Sequence, residues 1–307
     1  MKSLANCKVT VVGLGLMGGS LALALRSRCA EIVGVDSDGA ALAFAQQHGI
    51  VDRAAEFDAA LDCDVLVLAT PVRTILAQLD SLSQSAVRNH TSATVIDLGS
   101  TKRDIVAAMD ALPSKFDPIG GHPLCGKESS GIGAAAPDLF RGATFVLSPL
   151  PRTSPDGLTL ARQLVAAIGA HPFILDAAQH DRLLGVSSHL PYLLACVLVN
   201  AAEQLDDDLI WQLAASGFRD TSRLAASDVK MMCDILRTNR TEILSALAAG
   251  RAELDRLAAL IESQDEAALY SALAQARQRR MQLFSASTGR VPQWESHDAV
   301  IDLWPGA

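Results

Sequence analysis

Three glycines near the start of the chain follow a short apolar run with the spacing of a phosphate-binding turn. Residues 8–12 read KVTVV, and the next six residues, GLGLMG, fit the pattern GxGxxG at Gly13, Gly15 and Gly18. In a dinucleotide-binding turn the first glycine permits the bend, the second lets the backbone approach the pyrophosphate, and the third lets the following helix pack closely. The alternative is an ordinary glycine turn of a doubly wound fold that binds no dinucleotide.

An acidic residue at the end of the next apolar run completes the cofactor pattern. Asp36 follows EIVGV and is expected to accept hydrogen bonds from the adenosine ribose hydroxyls. Its charge would repel a 2′-phosphate, which favours NAD over NADP. Leu16 and Met17 lie inside the turn and are expected to contact the cofactor. Thr70 and Pro71 follow the third apolar run, where they either line the cofactor cleft or only end a strand.

One histidine and two arginines are candidates for the chemistry beside the cofactor. Hydride transfer from an alcohol needs a base for the hydroxyl proton, and His122, within the sequence GGHP, is of the right type. The flanking glycines and proline indicate a loop. Arg219 and Arg223 are four residues apart and would share a helix face, from which they can bind a carboxylate. The alternatives are a structural imidazole and a solvated basic turn.

Alternating strands and helices are predicted to position these groups. Strands are predicted at 8–12, 31–36, 64–69, 94–98, 144–147 and 172–175. The helical patterns between them are typical of an α/β Rossmann-type doubly wound sheet, mostly parallel. After residue 176 the patterns are helical, so we expect a dinucleotide-binding domain at 1–176 and an all-α substrate and dimerisation domain at 177–307. Its apolar residues exceed what one helical layer buries, which indicates a dimer interface.

Composition excludes several classes of function. The 307 residues carry a net charge of −8, whereas nucleic-acid binding requires a basic face. The six cysteines are scattered, without CxxC or zinc spacing, so we expect reduced thiols, no metal site and a cytoplasmic location. No signal peptide is evident, and the apolar stretches are shorter than a membrane span or interrupted by charge, so no membrane association is expected.

Five separated motifs resemble those of the prephenate dehydrogenase family, which includes arogenate and cyclohexadienyl dehydrogenases. They are VGLGLMGGSLA, DLGSTK, GGHPLCGKESSG, HDRLLGVSSHLPY and GFRDTSRLAASD, in the family's order over about residues 8–245. The resemblance implies a Rossmann domain, a helical dimerisation domain and a homodimer. It also implies NAD-dependent oxidative decarboxylation of prephenate, a small anionic cyclohexadienol, to 4-hydroxyphenylpyruvate in tyrosine biosynthesis.

The resemblance assigns roles to individual residues. His122 matches the catalytic histidine that assists deprotonation of the ring hydroxyl, and Ser100 matches the serine that orients this histidine and the hydroxyl. Arg223 matches the arginine that holds the side-chain carboxylate of the substrate. His189, in SHLP, matches another active-site histidine.

Three more residues are assigned to substrate binding in the same way. Glu128 matches an acid near the mouth of the site, and Lys127 beside it is a further contact. Tyr192 stands where many relatives have a histidine close to the substrate, which leaves prephenate and arogenate open as substrates. These two compounds differ in a keto or an amino group on the side chain.

Two rival functions make different demands on the sequence. Rossmann dehydrogenases of the hydroxy-acid or 6-phosphogluconate type rely on a lysine in the helical domain, and residues 177–229 contain no lysine. A cofactor-binding regulator without catalysis would not need His122, Ser100 and Arg223, which are all present. The sequence therefore favours a catalytic dehydrogenase of the family that it resembles.

Overall fold

Eight strands form one sheet in the computed structural model, which describes residues 2–84, 92–127 and 129–285. The strands are β1 (Lys8–Val12), β2 (Glu31–Val35), β3 (Arg53–Ala54), β4 (Val65–Leu68), β5 (Ala93–Asp97), β6 (Phe116–Pro123), β7 (Thr144–Pro149) and β8 (His171–Ile174). Their order across the sheet is β3-β2-β1-β4-β5-β6-β7-β8. All neighbours are parallel except β6 and β7. The predicted α/β Rossmann-type fold is confirmed.

Five helices connect these strands. They are α1 (Leu16–Leu25), α2 (Gly39–Gln47), α3 (Val72–Gln84), α4 (Arg103–Asp110) and α5 (Pro155–Ala167). Local capping explains where two of them begin. The Asp38 side chain accepts a hydrogen bond from the first turn of α2, and the Ser154 hydroxyl does the same for α5, which also has Pro155 in its first turn.

The sheet is covered on both faces, and strand β4 shows how. Its four residues are all buried. Val65 and Val67 belong to one apolar core, and Leu66 and Leu68 belong to the other. Because successive side chains of a strand point to opposite faces, a nearly continuous apolar strand must lie between two layers of helices.

The segment GGHP is part of strand β6, so the loop predicted around His122 is wrong. The strand is parallel to β5 on one side and antiparallel to β7 on the other, with His122 opposite Val146. A Cβ atom on Gly121 would lie 2.3 Å from the backbone oxygen of Asp97. Pairing of residues 120–123 with β7 therefore outweighs the low strand propensity of glycine and proline, and Gly121 allows the close approach to Asp97.

After β8 the chain is helical, as predicted. The segments are α6 (Ala177–Leu184), a π-helical turn (Gly185–His189), α7 (Leu190–Glu203), α8 (Leu209–Leu213), α9 (Ser216–Ser222), a 3₁₀ turn (Arg223–Ala226), α10 (Val229–Thr238), α11 (Arg240–Glu262) and α12 (Glu266–Ser285). Arg219 and Arg223, predicted to share a helix face, lie in α9 and in the 3₁₀ turn after it.

Helices α6 and α7 run together through the π turn as one helix, Ala177–Glu203. By length and composition this helix could cross a membrane: its most apolar stretch has a mean hydropathy of 1.6, and 17% of that stretch is buried. The sequence had predicted only shorter or interrupted apolar stretches, but Pro191 lies in the first turn of α7, where it does not break the helix. Length and composition alone do not separate a membrane helix from a helix that another protein surface covers.

The chain divides into two compact units, residues 1–247 and 248–307. The first contains the sheet, all helices through α10 and the start of α11. The second contains the rest of α11 and helix α12, and many of its apolar side chains are exposed. These are Leu254, Ile261, Tyr270, Leu273, Met281 and Leu283. The irregular tail predicted after Gly289 lies outside the described residues.

Candidate active site

The carboxyl edge of the sheet gathers the residues that the sequence singled out. Strands β1, β2, β4 and β5 are parallel neighbours, and Gly13, Asp36, Thr70 and Ser100 follow their ends. Strand β6 is parallel to β5 and has His122 next to its last residue. Ligands of open α/β sheets bind at this edge, so these residues lie where cofactor and substrate are expected to meet.

The glycine turn has the shape that a dinucleotide requires. Gly13 has a φ of 93°, and a Cβ atom there would lie 2.7 Å from the Thr70 methyl group. A Cβ atom on Gly18 would lie 1.8 Å from the Gly13 oxygen, whereas one on Gly15 would meet nothing within 4 Å. Gly13 and Gly18 are thus fixed by protein packing, and Gly15 faces open space through which a pyrophosphate can approach the backbone.

Helix α1 and Asp36 complete a site that fits a dinucleotide. The helix begins at Leu16, and its N-cap residue Gly15 supplies no capping side chain, so the first N–H groups, including those of Leu16 and Met17, lack intrahelical acceptors and can bind phosphate. Asp36 is held at the turn because its Oδ2 accepts a hydrogen bond from the Leu14 N–H (2.6 Å). Its carboxylate retains acceptor capacity for ribose hydroxyls.

His122 is the end of a chain of three buried or half-buried side chains, which we call the histidine chain. The Nδ1 atom of His122 lies 2.8 Å from Nε2 of His180. The Nδ1 atom of His180 lies 2.8 Å from Oδ1 of Asp181. His180 and Asp181 are fully buried, whereas His122 is half-buried and therefore accessible from the sheet edge.

The start of helix α4 holds the acidic end of the histidine chain. The N–H groups of Lys102 and Arg103 donate to the two oxygens of Asp181 at 2.7 and 2.9 Å. Burial raises the pKa of Asp181, but the hydrogen bonds from His180, Arg103 and Lys102 outweigh burial and leave the pKa below its ordinary value. Asp181 is therefore a carboxylate at neutral pH.

A buried ion pair lies beneath the same strand. The Lys102 ammonium donates to Asp97, and both side chains are fully buried. The other oxygen of Asp97 accepts a hydrogen bond from the Gly121 N–H at 2.8 Å, and Gly99 also donates to this carboxylate. The pair thus fixes the backbone of β6 directly before His122, and neither charge is left without a partner.

His189 is joined to this assembly through Asn239. The Asn239 amide nitrogen donates to the Asp181 backbone oxygen at 2.7 Å and lies 3.1 Å from Nδ1 of His189. Burial lowers the pKa of His189 to about 4. This histidine is therefore neutral at physiological pH, with Nδ1 as the acceptor and Nε2 carrying the proton.

The π-helical turn explains why His180 and His189 lie on the same side. Nine residues of uninterrupted α-helix would place them about 180° apart around the axis. The turn at Gly185–His189 adds one residue to the helix, which reduces the separation to roughly 80°. Both imidazoles can then be buried beside the sheet, and π turns of this kind are frequent at functional sites.

Burial also determines the protonation of His122. Desolvation is the main cause, and the neighbouring His180, Lys102 and His189 add to it, so the pKa of His122 lies well below its ordinary value. The imidazole is neutral at physiological pH and has a free acceptor nitrogen. It can therefore act as a base toward a hydroxyl group at the sheet edge.

The other predicted substrate residues differ in how far their side chains are exposed. Ser100 is half-buried in the loop before α4, and its hydroxyl has no hydrogen bond to another described residue. Arg223 and Lys127 are exposed, in the 3₁₀ turn and after β6. Tyr192 is half-buried on α7, and its pKa is raised, first by burial and then by Cys196. Glu128 lies outside the described residues.

Residue types alone did not reveal His180, Asp181 and Asn239 as part of the site. The available signal was the pair His180-Asp181 at the start of the HDRLLGVSSHLPY motif, because adjacent acid and imidazole groups are rarely buried without a partner. Among the residues that the structure describes, no cluster of three His, Cys, Asp or Glu side chains could hold a metal ion.

Two family models match most of the chain. The model for "Prephenate dehydrogenase, nucleotide-binding domain" matches residues 21–174, and that for "Prephenate dehydrogenase, dimerization domain" matches residues 176–275. They meet close to residue 176, where the predicted helical domain begins.

Individual prephenate and arogenate dehydrogenases are also similar to this chain. A prephenate dehydrogenase of Bacillus subtilis is 32% identical over 96% of this chain and 80% of its own length. The structure of A. aeolicus prephenate dehydrogenase with hydroxyphenyl propionate and NAD+ is 30% identical, with a TM-score of 0.84 over 92% of this chain and 100% of that chain. Synechocystis arogenate dehydrogenase is 31% identical, with a TM-score of 0.78 over 90% and 99%.

Proposed function

Because the chain belongs to the prephenate dehydrogenase family, we propose that it catalyses the oxidative decarboxylation of prephenate to 4-hydroxyphenylpyruvate with NAD, in tyrosine biosynthesis. The observation that carries the proposal is His122. This neutral base stands at the sheet edge that also bears a dinucleotide-shaped glycine turn. A fold with the turn alone would fit many dehydrogenases, whereas the base beside it fits oxidation of an alcohol.

The proposed reaction uses His122 at one defined step. Its free nitrogen accepts the proton of the ring hydroxyl while the hydrogen on the same carbon leaves with its electron pair. NAD, when bound, accepts that hydride. The ring carboxylate then leaves as carbon dioxide, and the electrons of the broken C–C bond aromatise the ring and reach the oxygen. That oxygen takes back one proton, so the reaction as a whole releases none.

Asp36 supports NAD rather than NADP as the cofactor. Its carboxylate is fixed at the turn by the Leu14 N–H and, through Oδ1, by the Asp38 N–H (2.9 Å). A 2′-phosphate would have to lie against this charge, whereas ribose hydroxyls can donate to it. In this proposal Gly13, Gly15 and Gly18 seat the pyrophosphate.

The remaining contacts are proposed for the substrate. Arg223 pairs with the side-chain carboxylate, since a guanidinium can bind a carboxylate through two hydrogen bonds. His189, which carries its proton on Nε2, can donate to a substrate oxygen. Ser100 has a hydroxyl available for the ring hydroxyl, and Lys127 and Glu128 are assigned to the mouth of the site.

Arogenate is a second candidate substrate. The similarity to Synechocystis arogenate dehydrogenase favours it, and so does Tyr192 on α7, which stands where many relatives have a histidine. The two substrates share the ring on which His122 acts. They differ only in the side-chain keto or amino group, so the reaction class is the same for both.

We propose that the chain functions as a homodimer through its helical domain, residues 177–307. The family model for this part describes a dimerisation domain. Exposed apolar side chains on α6 to α10 support the proposal, since a second copy would cover them. They include Leu183, Val186, Val197, Leu209, Leu213 and Val229. All six cysteines are free, which supports a cytoplasmic location.

The first experiment follows NADH formation by absorbance. Purified protein is mixed with NAD and either prephenate or arogenate, and the assays are repeated with NADP. NADH from either substrate supports the reaction, and the ratio of the two rates measures the preference at the side chain. If neither substrate yields reduced cofactor with NAD or NADP, the proposed function is wrong.

A further inference from the structure

We propose that His180 and Asp181 form a proton relay behind His122: they fix which nitrogen of His122 acts as the base, and His180 takes up one proton from His122 until it is returned. The inference rests on the proposed function for the identity of the proton. It rests on the structure for the path, which is the histidine chain with its two 2.8 Å contacts. His180 and Asp181 are positioning residues here, because only His122 faces the substrate.

The direction of the hydrogen bonds follows from the acidic end. Asp181 is ionised and can only accept, so Nδ1 of His180 must carry a proton and donate it to Oδ1. In neutral His180 the Nε2 atom is then an acceptor. The partner of Nε2 is Nδ1 of His122, which must therefore carry a proton and donate. The remaining nitrogen of His122, Nε2, is left with its lone pair, and this atom is the base.

The relay also provides a second site, Nε2 of His180, that can hold a proton during the reaction. When Nε2 of His122 binds the hydroxyl proton, the proton on its Nδ1 can pass to Nε2 of His180. The O–H bond breaks and an N–H bond forms at His122, while one N–H bond breaks there and one forms at His180. The positive charge then rests on His180 beside the Asp181 carboxylate. The reverse transfer returns one proton to the phenolate oxygen after decarboxylation, so no proton is gained or lost.

The surroundings of His122 make such a store necessary. Burial and the adjacent positive Lys102 disfavour a charge on His122 itself, and His189 on the other side is neutral. The charge of Lys102 is balanced by Asp97. Asp181 is therefore the carboxylate that can stabilise a positive charge on His180. The hydrogen bonds to the Asp181 carboxylate come from His180 and from the two N–H groups at the start of α4, and the carboxylate also interacts through charge with Lys102 and Asp104.

The tautomers can be measured on the free protein, without substrate or cofactor. Long-range ¹H–¹⁵N correlation spectra of histidine-labelled protein at pH 7 distinguish a protonated from an unprotonated ring nitrogen. Spectra of the His122→Asn and His180→Gln variants assign the signals. We expect both histidines to carry the proton on Nδ1 and to have an unprotonated Nε2. A His122 signal with the proton on Nε2, or a doubly protonated His122, would overturn the proposal whatever the enzyme does.

Kinetics of the His180→Gln variant test whether His180 takes up the proton. A glutamine keeps a polar group next to His122 but cannot carry the proton. We expect kcat with prephenate and NAD to fall by about 10- to 100-fold, part of the 10²–10⁴-fold that a base contributes, while both KM values stay within about twofold. The acidic limb of the kcat profile reports proton uptake by the hydrogen-bonded pair of His122 and His180. It should move to lower pH in the variant, because the proton can then no longer rest on His180 beside Asp181.

The same substitution at His171, which is exposed on β8, is the matched control and should leave kcat and the limb unchanged. A His180→Gln enzyme with unchanged kcat, or with a reduced kcat and an unmoved limb, would refute the store. Failure of this proposal is distinct from failure of the proposed function. If only the relay is wrong, the wild-type protein still forms NADH. If the proposed function is wrong, the wild-type protein forms no NADH, and the relay is then tested by the measured histidine tautomers alone.

Discussion

The glycine turn at residues 13–18 and the histidine chain serve the same edge of the sheet but are built differently. The turn consists of backbone: a Cβ atom on Gly13 or Gly18 would lie less than 3 Å from a neighbouring atom, and helix α1 supplies the N–H groups. The histidine chain consists of side chains from two distant segments, β6 and α6. One site is local in sequence and nearly all backbone, whereas the other is non-local and depends on burial.

This difference teaches which properties each region controls. A backbone site for phosphate does not change with pH, and it tolerates few side chains. A buried chain of imidazoles and a carboxylate responds to pH and to single-atom changes, because every proton in it has one defined place. Substitutions in the two regions should therefore separate cofactor binding from chemistry.

The largest effect is expected from His122→Asn. Loss of the base should lower kcat about 10²–10⁴-fold while the dissociation constant for NAD, measured by calorimetry, stays unchanged. The matched control is His171→Asn at an exposed position. Near-normal turnover at neutral pH would remove His122 from the mechanism, and loss of NAD binding would mean that the two regions are not separate.

The second prediction concerns the pH dependence of stability. The pKa of His189 is about 4 in the folded protein and near 6.5 when unfolded, so the unfolded state binds more protons between these values. Stability should be complete above pH 6.5 and should fall, by roughly 3 kcal/mol from this group, as the pH decreases to 4. Urea unfolding at several pH values measures it.

His189→Gln should flatten this part of the stability curve, and His171→Gln should not, because that side chain is exposed. If the wild-type protein keeps the same free energy of unfolding from pH 6.5 to 4, the burial of neutral His189 beside Asn239 is wrong.

Two glycine substitutions are expected to have smaller effects. One should reduce the stability of the protein, and the other should reduce its affinity for NAD. Gly18→Ala puts a methyl group 1.8 Å from the Gly13 oxygen and should destabilise the protein by about 1–3 kcal/mol. Gly15→Ala meets no protein atom within 4 Å, so thermal unfolding should be unchanged while NAD affinity falls about tenfold. Unchanged NAD affinity in the Gly15 variant would show that the pyrophosphate does not approach there.

The smallest effect is expected from Asp36→Ala. Removal of this acceptor should weaken NAD binding by about tenfold, as expected for one charged hydrogen bond, and should improve binding of NADP. Titration with both cofactors gives the ratio. A wild-type preference for NADP, or unchanged NAD affinity in the variant, would contradict the role of Asp36.

The sequence predicted the strand, glycine turn and helix well because their signals are adjacent along the chain. A strand, three glycines, a helix and Asp36 lie within 29 residues, from Lys8 to Asp36, and each has a steric or electrostatic reason. The same reasoning placed His122 as a base but on a loop, because glycine and proline disfavour strands locally. Its strand forms through pairing with β5 and β7, which no local pattern reveals.

The side-chain network was harder to predict for a related reason. His122 and His180 are 58 residues apart, and Asn239 and His189 are 50 apart, so only the packed fold brings them together. The spacing of Arg219 and Arg223 predicted a carboxylate-binding face, whereas the choice of Arg223 and the role of Lys127 came from the resemblance. They remain proposals.

The π-helical turn at Gly185–His189 has a consequence for how such sequences can diverge. Removal of one residue from this turn would leave His189 eight residues after His180, and a regular α-helix would then place the two about 80° apart, close to their present separation. His189 and the apolar residues of α7 would therefore keep their directions relative to His180. A single-codon deletion here is expected to be tolerated better than one elsewhere in α6 or α7, where every side chain that follows would rotate by about 100°.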